Sequence, residues 1–356
     1  MRTKDIATVV VSVTVMALII LYLGPEDLLN KITKISIEVL FLLVILYFLD
    51  IGTRVLRLHV LTSSLGYDVG WLPLFYAQVA ALFINICTPA RAGELVRLHV
   101  LHEEYGISYA EGLAAIVVEH VLDIMALLTL AACSFLYVKR EYTINKDIEN
   151  LLLIGVIAIA LFNACLIFTA VWGDRLIPLF RYFGPLEDKL LAFYISFQQG
   201  LAALKESGTK KLLLCVLLSF FVWFFESLII YFLANDLAGG SDVSLVLAIL
   251  ASVIGNLTFI FPILPGSIGT YEVAIALIFG LVELEEKTGI LIATVDRLFK
   301  VGFLVLVGGY ASAKLGVDFA FRTKMGSEKY NDEQESNVDN SEQAITTFET
   351  TDELTK

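Results

Sequence analysis

The run Thr88-Pro89-Ala90-Arg91-Ala92-Gly93-Glu94-Leu95-Val96-Arg97 interrupts an apolar helical pattern with a proline, a glycine and three charges. A second run repeats the device late in the chain: Phe261-Pro262-Ile263-Leu264-Pro265-Gly266-Ser267-Ile268-Gly269-Thr270-Tyr271-Glu272. In both, the pattern runs into proline (Pro89, Pro265), turns through glycine (Gly93, Gly266, Gly269) and resumes as helix with an early glutamate. A backbone in hydrocarbon has no water to satisfy its N–H and C=O groups, so irregular chain survives there only against protein or a wet cavity. A helix broken at that depth also presents unpaired N–H donors and a partial positive charge, which favour anions and phosphate. The alternative for either run alone is a short surface loop between two helices.

Composition sets the class. With 58% hydrophobic residues, a mean hydropathy of +0.79 and several apolar runs near 20 residues, the chain is an all-α polytopic membrane protein rather than a soluble globule. The run from Ile6 to Leu23 follows Arg2 and Lys4 without a small-residue cleavage pattern, and reads as a retained first span. Cys87, Cys133, Cys165 and Cys215 each sit alone in apolar sequence and read as packing residues.

Full spans are expected near 6–23, 36–58, 110–138, 149–172, 212–234 and 289–314, with broken segments at 72–105 and 244–282. Lys and Arg collect in 173–211 and beyond 314, which places those segments and both termini in the cytoplasm of a plasma-membrane protein. Lys139, Arg140 and Lys146 disagree with that orientation. It works only if each broken segment returns to the side it left, as a re-entrant helical hairpin. The expected fold is then six full spans plus two re-entrant hairpins in an inverted-topology repeat, 1–138 and 149–316. Such repeats around a midplane site are a common transporter architecture.

Spacing supports the repeat independently. Glu94 is followed 25 residues on by Glu119, with Asp123 one turn later; Glu272 is followed 24 residues on by Asp296, then Arg297 and Lys300. A charge at the centre of a spanning helix costs roughly 2.5 to 3.5 kcal/mol, so Glu119, Asp123, Glu226, Asp296, Arg297 and Lys300 have to meet one another or water. The repeat axis is expected to bring the acidic face of span three towards the basic face of span six. Either a transport site or a structural ion-pair network satisfies the same energetics. Arg91, Glu94 and Arg97 form a stripe just past a helix start, where two guanidinium groups can fork onto a phosphate; an interfacial, snorkelling stripe is the other reading. Arg54 and Arg57 are expected to close span two as anchors. His99, His102 and Glu103 have helical spacing, but no second cluster completes a metal site, and none is expected.

Residues 185–207 carry apolar positions at helical spacing (Leu186, Leu190, Tyr194, Phe197, Leu201, Leu204) and read as an amphipathic helix on the cytoplasmic surface. Residues 319–356 are polar and acidic, a disordered cytoplasmic tail that supplies much of the net charge of −12.

The Pro-x-Arg-x-Gly-Glu-x-x-Arg pattern at Pro89 to Arg97, the Glu119 and Asp123 pair, and the Pro-Gly-Ser-Ile-Gly-x-x-Glu pattern at Pro265 to Glu272 resemble the lysylphosphatidylglycerol synthase transmembrane, or flippase-like, family. The resemblance covers nearly all of residues 1–316. In the family's best-known member, the bacterial multiple peptide resistance factor, the membrane region moves aminoacylated phospholipid between leaflets while a separate cytosolic domain makes it. No synthase domain and no nucleotide-binding motif is seen here, so the resemblance implies lipid movement rather than an enzyme, with no cofactor. The implied cargo is a membrane lipid with an anionic, aminoacyl- or sugar-linked headgroup, and the implied partner a lipid-modifying enzyme or glycosyltransferase; no nucleic acid is involved. The expected substrate-binding residues are Arg91, Glu94, Arg97, Glu119, Asp123, Ser267, Glu272, Asp296, Arg297 and Lys300. A secondary transporter of a small anion and a non-transporting scaffold for a lipid-modifying enzyme are the competing classes.

Overall fold

The computed structural model describes residues 14–88, 92–141, 187–238, 242–259, 267–281 and 284–315, with the isolated residues 157, 161 and 164. Regular structure among them is entirely helical. In chain order these are α1 (Thr14–Leu23), α2 (Pro25–Ile32), α3 (Ile37–Ser64), α4 (Trp71–Cys87), α5 (Gly93–Tyr105), α6 (Tyr109–Glu141), α7 (Glu187–Glu206), α8 (Thr209–Leu237), α9 (Leu245–Leu257), α10 (Thr270–Gly280) and α11 (Glu286–Lys314). The expected span at 149–172 apart from residues 157, 161 and 164, the breakers Pro89, Pro265 and Gly266, the residue Arg91 and the tail 319–356 lie outside the described residues.

Three helices are long and apolar enough to cross a bilayer: α3, α6 and α8. Helix α11 matches them in length at 29 residues but carries Asp296, Arg297 and Lys300 in its middle. The helices flanking the two breaks are shorter, with 17 residues in α4, 13 in α5, 13 in α9 and 11 in α10. At 1.5 Å per residue each falls short of the roughly 20 residues that span hydrocarbon.

Both short pairs fold back on themselves. The amide of Gly93 donates to Asn85 Oδ1 at 2.9 Å, and Arg97 Nη1 donates to Gln78 Oε1 at 2.7 Å, so α5 runs antiparallel along α4. A Cβ on Gly93 would sit 2.0 Å from the carbonyl oxygen of Ala81, which is why only glycine opens α5 here. Helix α10 returns along α9 in the same way, with Gly255 packed against Tyr271 and Ile275. Its turn is closed by Ser267 Oγ, which donates to the carbonyl of Thr258 at 3.0 Å. Gly269 (φ +86°) takes the left-handed backbone there, and Glu272 Oε2 accepts its amide at 2.8 Å.

Helices α3 and α8 form the central antiparallel pair, joined at one end by Ser36, whose N–H and hydroxyl both donate to Asp236, and at the other by Lys211 Nζ, which donates to Ser63 Oγ. The first end also holds the Lys287–Asp27 pair at 3.9 Å. The second holds the α3–α4 connection against the start of α6, where Tyr67 OH donates to Glu111 Oε2 at 3.0 Å, a bond that raises the Tyr67 pKa. Lys314, at the end of α11, donates to Tyr76 OH near the start of α4 at 3.1 Å. The first hairpin therefore leaves and rejoins the bundle at the same end. Helix α7 packs on the start of α6, with Gly200 over the backbone of Ala114.

Packing between elements is reciprocal. Exchanging α3, α4, α5 and α6 for α8, α9, α10 and α11 turns each contact into another that exists. Helix α4 packs on α11 and α9 packs on α6; α3 meets α6 and α8 meets α11; α8 meets α6, and α3 meets α11 through Tyr47, Phe48, Phe299 and Phe303.

Candidate functional site

The ionisable residues that sequence reasoning singled out in the spans do meet, though not in the expected pairs. Glu119 and Asp123 do not face α11; they are taken up by Arg57 of α3 and Arg97 of α5. Arg57 Nη1 donates to Asp123 Oδ1 at 2.5 Å and to Ser219 Oγ at 2.7 Å, while Nη2 donates to Glu119 Oε1 and Asp123 Oδ2, both at 3.0 Å. This corrects the expectation that Arg57 merely anchors a helix end, since its side chain is 0% exposed. Helix α3 continues to Ser64, well past the expected boundary at 58, and that extension draws the arginine inside. Arg54 is also drawn in. Its Nε donates to both oxygens of Asp50 at 3.0 and 3.1 Å, and its guanidinium lies 5.3 Å from the ring centroid of Trp223.

Arg97 is buried rather than interfacial, and reaches Glu119 at 3.1 Å and Glu94 at 2.8 Å as well as Gln78. Among the buried polar atoms without a hydrogen-bond partner are Nε and Nη2 of Arg97 and Nε of Arg57, so the ion pair to Glu94 is close but poorly aligned. His120 Nε2 stands 4.0 Å from Glu94.

Trp223 links this group to a second one. Its Nε1 donates to Asp123 Oδ1 at 3.2 Å on one side, and its ring carries Arg54 on the other. Arg54 Nη2 is 3.7 Å from Glu226, and Glu226 accepts from Lys300 Nζ. Lys300 also donates to Asp296 Oδ2 at 3.0 Å, and Tyr271 OH donates to the same oxygen at 2.6 Å. Close by, Arg297 Nε donates to Glu272 Oε1 at 2.5 Å and its Nη2 to the carbonyl of Ser267 at 3.3 Å, with the guanidinium 5.1 Å from the Tyr271 ring. Ser267 itself is fully buried, its hydroxyl committed to closing the turn.

A chain of polar contacts thus runs from the first hairpin (Glu94, Arg97) through α6, α3 and α8 to α11 and the second hairpin. Seven carboxylates (Asp50, Glu94, Glu119, Asp123, Glu226, Glu272, Asp296) meet five basic side chains (Arg54, Arg57, Arg97, Arg297, Lys300). At a low local dielectric such pairs persist only when each charge has a partner. Sequence reasoning missed Asp50, Gln78, Asn85, Ser219, Trp223 and Tyr271. Asp50, Arg54 and Arg57 lie at i, i+4 and i+7, one helical face, and so do Ser219, Trp223 and Glu226 on the partner helix.

His99 and His102 are engaged with Tyr109 and the carbonyl of Ile107. Among the described residues no group of three or more His, Cys, Asp or Glu side chains is placed to hold a metal.

The family model for the lysylphosphatidylglycerol synthase TM region matches residues 7–308. A UPF0104 membrane protein of Methanothermobacter thermautotrophicus is 22% identical over 323 residues, covering 86% of this chain and 94% of that protein. Another, from Methanocaldococcus jannaschii, is 28% identical over 227 residues, 64% of this chain and 92% of its own. The glycosyltransferase AglD of Haloferax volcanii is 28% identical over 134 residues, 36% of this chain but 21% of AglD. No solved structure matches. Matched over most of its length, and with its apolar helices enclosing a buried ionic network, the chain is a multi-pass membrane protein that belongs to the lysylphosphatidylglycerol synthase TM region family.

Proposed function

We propose that the protein moves a phosphate-bearing lipid, aminoacyl- or sugar-linked, between the leaflets of the plasma membrane along a polar path between two re-entrant hairpins. The observation that carries this reading is the uneven burial of the network. Arg57, Arg97, Glu119, Glu272 and Asp296 have side chains at most 5% exposed, whereas Arg54, Arg297 and Lys300 are 11–16% exposed and Glu94 and Asp123 are 22% and 15% exposed. Three cations and two carboxylates therefore stand at the edge of a rigid ionic core. The cations suit a phosphate, and Glu94 and Asp123 suit ammonium or hydroxyl groups of the same headgroup. The deeply buried residues orient the reachable ones, and acyl or isoprenoid tails stay in lipid. The short α4–α5 and α9–α10 pairs, too short to cross and folded back on themselves, support re-entrance, and the reciprocal packing supports an inverted repeat. The reading places both termini in the cytoplasm.

The test is movement of a headgroup-labelled fluorescent phospholipid in vesicles containing the full chain. Arg297→Gln and Glu94→Gln are each expected to slow it roughly tenfold or more, in line with the loss of a charge-assisted hydrogen bond of about 1.5–3 kcal/mol. Wild-type protein that leaves the lipid in place while a labelled water-soluble anion crosses would instead favour a secondary transporter. The partial match to AglD, named a glycosyltransferase, favours sugar-linked lipid as the first cargo to try after the phospholipid.

A further inference from the structure

Around Lys300 the charges do not balance. Among the described residues, Asp50 and Arg54 of α3, Glu226 of α8, and Asp296 and Lys300 of α11 form one contact group with three carboxylates against two cations. The neighbouring Arg297 does not make up the difference, because it is paired with Glu272 of α10. Among the described residues, the other polar groups facing the cluster are two phenols, Tyr47 of α3 and Tyr271 of α10, and, across Trp223, Asp123 of α6, which Arg57 holds. Asp50 and Asp296 are each 1% exposed, so water reaches the excess only at the edge of the cluster, along Arg54, Glu226 and Lys300.

One oxygen marks where the imbalance falls. Asp296 Oδ2 receives both Tyr271 and Lys300, but Asp296 Oδ1 is buried with no hydrogen-bond partner. A bare carboxylate oxygen away from water is costly, and a neutral carboxyl lowers that cost by removing the unpaired charge. A metal cation is a poor remedy, because the position between Glu226 and Asp296 is already filled by the Lys300 ammonium. We infer that the Asp50–Glu226–Asp296 cluster is a proton-binding site that takes up one proton, shared among the three carboxyls as coupled groups share it. Such a site makes proton exchange available to couple to headgroup passage; it concerns the residues of the proposed function, but proton binding is read with no lipid present, so the two stand or fall separately.

The experiment is infrared spectroscopy of the purified full chain in detergent, following the C=O stretch of protonated carboxyl at neutral pH, where ordinary carboxyls are ionised. Wild type is expected to show a band that shifts in D₂O and disappears on titration with base. Asp50→Asn, Glu226→Gln and Asp296→Asn are each expected to remove one carboxyl's intensity, because two carboxylates then balance two cations. Lys300→Gln is expected to go the other way and add a second protonated carboxyl, a gain that unfolding cannot mimic because it would release carboxyls to water and ionise them. The group of Glu94, Glu119 and Asp123 around Arg57 and Arg97 is three against two as well, but Glu94 is 22% exposed and faces His120, and wild-type-minus-variant spectra cancel it. No titrating band in wild type, a band unchanged in all three carboxyl variants, no gain in Lys300→Gln, or a band abolished by sodium at fixed pH would each overturn the inference.

Discussion

Arg57 has the most consequential environment of any single residue in the described chain. Fully buried, it holds Asp123 and Glu119 at once and donates to Ser219, tying α3 to α6 and α8. Removing one partner of a buried ionic group leaves the other charges uncompensated, at about 3–5 kcal/mol. Arg57→Leu is therefore expected to lower stability in detergent by about that amount, measured by denaturant unfolding. Arg57→Lys should recover little, because a single ammonium cannot fork onto two carboxylates. The triple substitution Arg57→Leu, Glu119→Gln, Asp123→Asn should recover most of the loss, since neutralising a whole buried group is often close to neutral. A loss below about 1 kcal/mol in the single variant, the range of exposed pairs, would mean that water reaches the site. The importance of this arginine was only partly legible. Its charge within an apolar run was plain, but whether a residue near a helix end lies inside or at the interface depends on how far the helix continues, and Leu58, Val60 and Leu61 carry α3 another two turns into the core.

At the scale of elements, the first hairpin is held by side chains that its own sequence advertised weakly. Helix α4 is apolar apart from Gln78 and Asn85, seven residues apart and so on one face; Gln78 receives Arg97, and Asn85 caps the first turn of α5. Because α5 lacks a side-chain cap of its own, Asn85 supplies across the hairpin what an N-cap residue ordinarily supplies locally. Asn85→Ala is expected to cost about 0.5–2 kcal/mol and Asn85→Asp to retain most of the bond. Gly93→Ala should be worse than Asn85→Ala, because its Cβ would lie 2.0 Å from the Ala81 carbonyl oxygen and the two helices have to separate. Equal unfolding midpoints for Gly93→Ala and wild type would mean that the helices are not in contact there. Proline and glycine signalled both breaks, but the across-hairpin cap could not be read from either helix alone. The expected meeting of the acidic face of α6 with the basic face of α11 failed for a related reason: α3 and α8 stand between them and satisfy each with charges of their own.

For the whole molecule, the bundle has two ends, and the proposed topology assigns each to one side of the membrane. The α3–α4 connection, the α5–α6 connection, the start of α8 and the end of α11 gather at one end; the start of α3, the end of α8 and the start of α11 gather at the other. Basic residues Lys205, Lys210, Lys211 and Lys314 lie at the first and Lys31, Lys34, Lys139, Arg140 and Lys287 at the other, so the assignment of the first to the cytoplasm rests on the further Lys and Arg that the sequence collects in 173–211 and beyond 314. Single cysteines at Gly66 and Ser108, placed in a chain freed of its native cysteines, are expected to react with a membrane-impermeant maleimide only from the cytoplasmic side. Cysteines at Asn30 and Asp242 are expected to react only from the opposite side. Gly66 and Ser108 are the decisive pair. Thirty-odd residues of α4 and α5 separate them, enough for a single apolar crossing, yet Tyr67 and Ser108 both bond Glu111. Were α4 and α5 one broken crossing, the two cysteines would label from opposite sides; same-side labelling excludes that, and α5, only 13 residues long, then favours a hairpin that turns back inside the bilayer over two full crossings.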